Sequence, residues 1–260
     1  MDETSIKAAL RDLPLGGLRV FQRIGSTNDE ALAWAAQGAG DASLVVADEQ
    51  TAGRGRSGRR WQTPPGSALA FSVILRPTQL ETNAASRLAG LGSMAVADAL
   101  AELELSPEIK WPNDVLLAGR KVAGVLAESV WIGMRLSACV LGIGINVLMS
   151  SAPPADEVTF PATAIEAELG DAPNRLEILR ATLAALFQWR HQLPFDEFMA
   201  AWQARLAYRG EQVTLHGDGS RVVNGVLKGL DTDGCLLLQT GTQLLRVQAG
   251  ELALRPSVIE

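Results

Sequence analysis

Gln50-Thr51-Ala52-Gly53-Arg54-Gly55-Arg56-Ser57-Gly58-Arg59-Arg60-Trp61 sets three glycines and four arginines between two runs of strand character. Residues 44–50 are a short strand run, and Leu69, Phe71, Val73 and Leu75 alternate at period two across 67–76, so the arginine-glycine segment is a loop between strands. Glycine lets backbone N–H groups approach an anion closely, and guanidinium groups grip carboxylate or phosphate in bidentate geometry. The segment therefore reads either as a clamp for a bound acid or nucleotide or as a solvated basic loop. It lacks the Gly-Lys-Ser/Thr ending of a P-loop.

On the N-terminal side, Ser26-Thr27-Asn28-Asp29-Glu30 followed by Ala31, Leu32 and Trp34 reads as a helix start, with Thr27 and Glu30 at capping-box spacing and an end near Gly38. Such a start is a cap, and it also accepts a polar ligand group. On the other side, an alanine- and leucine-rich stretch predicts a helix over 84–103. Strands at 115–117 and 122–128 flank Ala118-Gly119-Arg120 as a hairpin, and 137–147 is a further apolar strand. A proline-bearing loop over 150–161 leads to a helix that Asn174 caps, running to about His191 with Leu176, Leu179, Leu183 and Leu186 on its apolar side; another spans about 196–208. After Gly210 come short strands at 212–215, 221–230, 235–239 and 243–247, with turns at Gly217-Asp218-Gly219, 231–234 and Thr240-Gly241. The expectation is a larger α+β domain over 1–209 and a small β-barrel over 210–260.

Two more constellations carry chemistry. In Lys110-Trp111-Pro112-Asn113-Asp114-Val115, Pro112 excludes helical geometry at Trp111, so Asn113 and Asp114 stand at a rigid strand edge, with Lys121 beyond. Adjacent Asn and Asp suit a metal ion or a nucleotide and Lys121 suits an acyl-phosphate; equally, they read as turn residues and a surface lysine. In Gly142-Ile143-Gly144-Ile145-Asn146, strand glycines mark close approach of a ligand or plain packing.

Composition excludes other classes. The 260 residues are 47% hydrophobic and 20% charged, enough for a sizeable core, and the net charge of −6 argues against a surface built wholly for nucleic acid. Cys139 and Cys235 are far apart and His191 and His216 are the only histidines, so a zinc site and a histidine base are disfavoured. No signal-peptide pattern opens the chain, and the uncharged run 136–155 is broken by glycines and prolines short of a membrane span. The cytoplasm is the expected location.

Taken in order, these segments resemble biotin protein ligases. The resemblance rests on Ser26-Thr27-Asn28 with Glu30-Ala31, on 50–56 with Trp61, on Lys110 to Val115 with Lys121, on Val122-Ala123-Gly124-Val125-Leu126-Ala127-Glu128, and on Gly-x-Gly-x-Asn at 142–146. It runs from about Val20 and includes the Asp231-Thr232-Asp233-Gly234 turn. It implies a mixed β-sheet flanked by helices, of the class II synthetase-like biotin/lipoate ligase type, and an SH3-like C-terminal barrel. It implies a two-step reaction in which biotin and ATP form biotinyl-5′-adenylate, and a lysine of a biotin carboxyl carrier protein or domain, of acetyl-CoA carboxylase or a related carboxylase, then takes the biotinyl group.

By that resemblance Ser26, Thr27, Asn28, Gln50, Gly53, Arg54, Gly55, Arg56, Lys121 and Gly124 meet biotin. Arg56, Arg59, Trp61, Asn113, Asp114, Lys121 and Asn146 meet ATP. Lys121, Arg54, Arg56 and Asp114 carry the chemistry, and Asp114 is the expected Mg²⁺ ligand. Only about 20 residues precede the motifs, so a monofunctional enzyme that binds neither DNA nor membrane is expected; monomer or homodimer stays open. A lipoate ligase fits less well because its glycine-rich segment ends in a His-Asp pair and neither histidine lies near Gly53. A nucleotide- or RNA-binding module is opposed by the acidic charge and the Lys110 to Asp114 segment.

Overall fold

The period-two run becomes strand β3, Ala68–Leu75, but all eight of its residues are buried rather than every second one. The reason is its place at the centre of a sheet covered on both faces. In the computed structural model, which describes residues 1–217, 222–248 and 252–256, β3 lies in a seven-stranded sheet ordered β1-β2-β3-β7-β6-β5-β4. The other strands are β1 Gly17–Ile24, β2 Ser43–Gln50, β4 Pro107–Lys110, β5 Asp114–Leu117, β6 Arg120–Ile132 and β7 Arg135–Asn146. β1 and β2 run parallel and the remaining neighbours antiparallel, giving the expected mixed sheet. The hairpin turn between β5 and β6 falls at Ala118 and Gly119, both at positive φ.

Helices are α1 Glu3–Ala9, α2 Thr27–Ala36, α3 Gln79–Asn83, α4 Leu88–Ala101, α5 Ile165–Leu169, α6 Arg175–Gln192 and α7 Asp196–Ala204. Leu69, Phe71, Val73 and Leu75 enter a large core with Leu91 and Met94 of α4 and Leu179 and Leu183 of α6. On the opposite face Ile74, Val45, Ala138 and Val140 pack against Ala31 and Ala35 of α2 in a smaller core. Along that face of β7 the next two outward positions are Gly142 and Gly144, where apolar cover stops and a cleft begins.

Three local expectations change. The cap of α2 is Ser26, whose Oγ accepts from Asp29 N at 3.4 Å, not Thr27; Thr27 and Glu30 instead reach Gln50 and Arg19. The helix expected over 84–103 starts later, at Leu88: Ala84 is not helical and 85–87 form a single 3-10 turn, while a separate short helix, α3, opened by a reciprocal capping box of Thr78 and Glu81, lies just before the expected range. α7 ends at Ala204, short of Tyr208, which has φ of 64°. Cys139 is buried in β7, and burial pushes its thiol up to about 12, consistent with a packing role.

The C-terminal strands β8 Gln212–Gly217, β9 Val222–Leu230, β10 Leu236–Thr240, β11 Gln243–Val247 and β12 Leu252–Pro256 form an antiparallel sheet ordered β11-β10-β9-β8-β12. The last of these has no counterpart in the sequence reading. Asp218 and Gly219 of the expected turn, and Arg221, lie outside the described residues.

Candidate active site

A cleft of about 740 Å³ opens on the α2 face of the sheet, over the glycines of β7 and β6. It is lined by Ser26, Thr27, Asn28, Gln50, Arg54, Gly55, Arg56, Arg59, Trp61, Asn113, Asp114, Lys121, Gly124 and Asn146, so segments spread over 120 residues converge. Gly53 is the one expected site residue outside this lining. A Cβ there would lie 2.4 Å from Trp61 O and 3.0 Å from Gln50 Nε2, so its glycine serves close backbone packing behind the loop.

One end of the cleft is neutral and polar. Gln50 Oε1 accepts from Thr27 N at 2.8 Å and from Thr27 Oγ1 at 3.1 Å, while Gln50 Nε2 donates to Thr63 Oγ1 at 3.1 Å. Ser72, the single polar side chain of β3, donates to Asn28 Oδ1 at 2.6 Å and lies 2.8 Å from Thr27 Oγ1. Asn28 Nδ2 donates to Glu128 Oε2 at 2.8 Å and to Leu126 O at 3.3 Å. Asn28 fits only because Gly142 lacks a side chain: a Cβ there would fall 2.0 Å from Asn28 Oδ1.

The other end is charged. Asp114 begins β5, after the 111–113 turn that contains the cis Trp111–Pro112 peptide. Its Oδ1 is 2.5 Å from Lys121 Nζ and its Oδ2 is 3.4 Å from Lys110 Nζ. Burial alone would raise the Asp114 pKa, but Lys121 and then Lys110 hold it below the usual carboxylate value. Arg56 Nη1 donates to Asn113 Oδ1 at 3.0 Å, and Asn113 Nδ2 donates to Val125 O at 2.6 Å. Burial draws the Arg56 guanidinium below the ordinary arginine value, against the pull of Asp114. With Arg54 already paired to Glu128 and Asp29, cations Arg56, Arg59, Arg60, Lys110 and Lys121 of the lining face carboxylates Asp114 and Glu157, an excess suited to an anion.

Between the two ends lies Trp61. Its ring covers Gly144, where a Cβ would sit 2.3 Å from the indole, and its centroid is 5.6 Å from Lys121 Nζ. The space over Gly124 holds Lys121 Nζ and the edge of the Trp61 ring. Asn146 closes the floor, donating to Thr163 O at 3.0 Å.

As for a metal, both Asp114 oxygens face ammonium groups, and the described residues contain no group of three or more His, Cys, Asp or Glu placed to hold an ion. The donor set does not fit a resident Mg²⁺, and the expectation that Asp114 ligates one finds no support in this geometry.

Several participants escaped the sequence reading. Ser72 carried a signal, as the lone hydroxyl in an otherwise apolar strand. Phe160, whose ring lies 4.7 Å from Lys110 Nζ, and the rest of the 151–162 segment carried none. His216, to which the sequence assigned no role, lines the cleft from β8. The small sheet also braces the 111–113 turn, where Trp111 Nε1 donates to Gly234 O at 3.0 Å, and the start of α4, where Arg87 Nη2 donates to Thr232 O at 2.6 Å.

Residues 20–146 match the biotin/lipoate A/B protein ligase family, and residues 209–255 match the biotin protein ligase C-terminal domain. A biotin–[acetyl-CoA-carboxylase] ligase of Paracoccus denitrificans is 39% identical over 230 residues, which cover 85% of this chain and 93% of that protein. The chain belongs to the biotin protein ligase family. A second biotin–[acetyl-CoA-carboxylase] ligase, from Mycobacterium tuberculosis, is 36% identical and covers 97% of this chain and 95% of its own. Among solved members of the biotin protein ligase family, the Aquifex aeolicus enzyme in complex with biotin and ATP superposes with a TM-score of 0.78 at 31% identity, over 93% of this chain and 99% of that one. The mixed sheet with flanking helices and the small SH3-like C-terminal sheet are thus the fold of the biotin protein ligase family.

Proposed function

We infer that the protein is an ATP-dependent biotin protein ligase. The observation that carries this reading is the cleft itself, where a neutral hydrogen-bonding end at Thr27, Asn28 and Gln50 meets a cationic end at Arg56 and Lys121 across Trp61. Biotin is a bicyclic urea with an acidic tail, so its ring suits the first end and its carboxylate the second. A biotin carboxylate oxygen attacks the α-phosphorus of ATP, the bond to the β-phosphate oxygen breaks, and pyrophosphate leaves. The carrier's lysine amine then attacks the anhydride carbonyl and displaces AMP.

Lys121 sits where charge grows as the P–O bond forms, with Asp114 and Lys110 fixing its position. Arg56 faces the phosphate, Arg59 lies at the cleft's edge, and Trp61, Asn113 and Asn146 border the nucleotide. ATP enters as its magnesium complex, the ion held by the phosphates. The carrier is a biotin carboxyl carrier protein or domain, and we place the reaction in the cytoplasm; no helix among the described residues is long and apolar enough to cross a membrane.

Pyrophosphate exchange into ATP that requires biotin, and that lipoate does not support, tests the reading; exchange independent of biotin overturns it. Gly142→Ala supplies a finer check. Its Cβ would displace Asn28 from Ser72, Glu128 and Leu126 O, so biotin affinity by calorimetry is expected to fall at least about tenfold, the loss of one to two hydrogen bonds. Unchanged affinity removes Asn28 from the biotin site.

A further inference from the structure

Arg54 was expected to neutralise substrate anions together with Arg56, yet the two arginines have different surroundings. Arg54 Nη1 donates to Glu128 Oε1 at 2.9 Å and Nη2 to Glu128 Oε2 at 2.6 Å, a bidentate pair across β6, and Nη2 also lies 2.7 Å from Asp29 Oδ1 in α2. Arg56 makes no ion pair among the described residues and its guanidinium is turned toward Asn113 and Asp114. A guanidinium already gripped by two carboxylates is a poor receptor for a third anion, whereas it is well placed to tether its own backbone.

The tether has a defined origin and target. Glu128 Oε2 accepts from Asn28 Nδ2 as well as from Arg54, so one carboxylate oxygen fixes both the polar end of the cleft and the loop above it. The loop folds on itself through Gly55 N to Arg59 O at 2.7 Å and Trp61 N to Gly53 O at 2.9 Å, so holding Arg54 holds the strip that carries Arg56 and Trp61. An isolated exposed ion pair contributes little, but bidentate geometry and a shared network raise its worth.

We propose that Glu128 and Asp29 are positioning residues that latch Arg54, and with it the 53–61 loop, over the cleft, so that a bound acyl-adenylate is retained until the carrier arrives. The consequence for an adenylate rests on the ligase reading; the latch itself does not.

The test uses the full chain with Glu128→Gln, Asp29→Asn and the exchanged pair Arg54→Glu/Glu128→Arg. Limited trypsin digestion without ligand reads the latch directly, because Arg54, Arg56, Arg59 and Arg60 are cleavage points and local opening sets their rate. Cleavage within 54–60 is expected to rise at least threefold in Glu128→Gln and less in Asp29→Asn, with other sites unchanged, and to return toward wild type in the exchanged pair. Release of preformed biotinyl-adenylate, chased with excess biotin and ATP, is expected to quicken severalfold in parallel.

Wild-type cleavage in both single variants overturns the latch, as does weakened biotin binding with loop cleavage unchanged, which would confine Glu128 to Asn28. If Glu128→Gln is cleaved throughout the chain, Asp29→Asn, which leaves Asn28 and Glu128 in contact, decides alone. Failure of wild type to form any adenylate overturns the ligase reading and leaves the digestion result standing.

Discussion

Lys121→Ala is expected to slow biotin-dependent pyrophosphate exchange by on the order of 10²–10³, the usual worth of a positioned charge acting on the transition state. The same substitution is expected to cost about 1–3 kcal/mol of stability, because it deprives buried Asp114 of its nearer partner and leaves Lys110 at 3.4 Å. The lysine is therefore not the cheaply truncated surface residue that its place after a hairpin turn suggests. Asp114→Asn combined with Lys121→Ala separates the two effects, since removing both charges relieves the carboxylate that has lost its nearer partner without supplying a cation at position 121. Stability by urea denaturation should recover while exchange stays slow; recovery of both would reduce Lys121 to a structural counter-ion. The pH dependence has a definite sign. A carboxyl held below its ordinary value stabilises the fold above the unfolded pKa, and that contribution is lost as pH falls through the native one.

Arg56→Gly is expected to accelerate biotinyl-adenylate release by about 10- to 100-fold, the equivalent of one charge-assisted hydrogen bond worth about 1.5–3 kcal/mol. Biotin affinity should fall much less, because biotin alone carries no phosphate for that guanidinium to meet. Glycine also loosens the loop backbone, so Arg56→Met is the companion that removes charge alone. Equal loss of biotin and adenylate in Arg56→Met would assign the side chain a packing role.

Much of the fold was legible in the chain. The alternation in β3, the Ala118-Gly119 turn and the Asn174 cap all express local rules, and each element forms close to where those rules put it. β1 was missed because an edge strand with Arg19, Gln22 and Arg23 among its residues shows little apolar pattern. The short helix α3 was missed because its signal is a side-chain cap at Thr78 with Glu81 rather than an apolar period, and the later start of α4 was missed because alanine-rich sequence does not mark the break at Ala84.

Within the site, residue types announced which segments matter but not how their charges are distributed. Arg54 and Arg56 are two positions apart in a repeating motif, and only the sheet register that brings Glu128 beneath one and Asn113 beneath the other distinguishes them. Phe160 and His216 reach the cleft through tertiary placement alone.

The brace between Trp111 and Gly234 spans 123 residues of chain. During synthesis, at roughly 5–20 residues per second, the indole is made about 6 to 25 s before its acceptor exists. Until then its buried N–H has no acceptor in the C-terminal sheet, and the neighbouring Lys110 to Asp114 geometry lacks its backing. The backing of the Lys110 to Asp114 segment is thus complete only once the β9–β10 turn has been made and has docked against the indole.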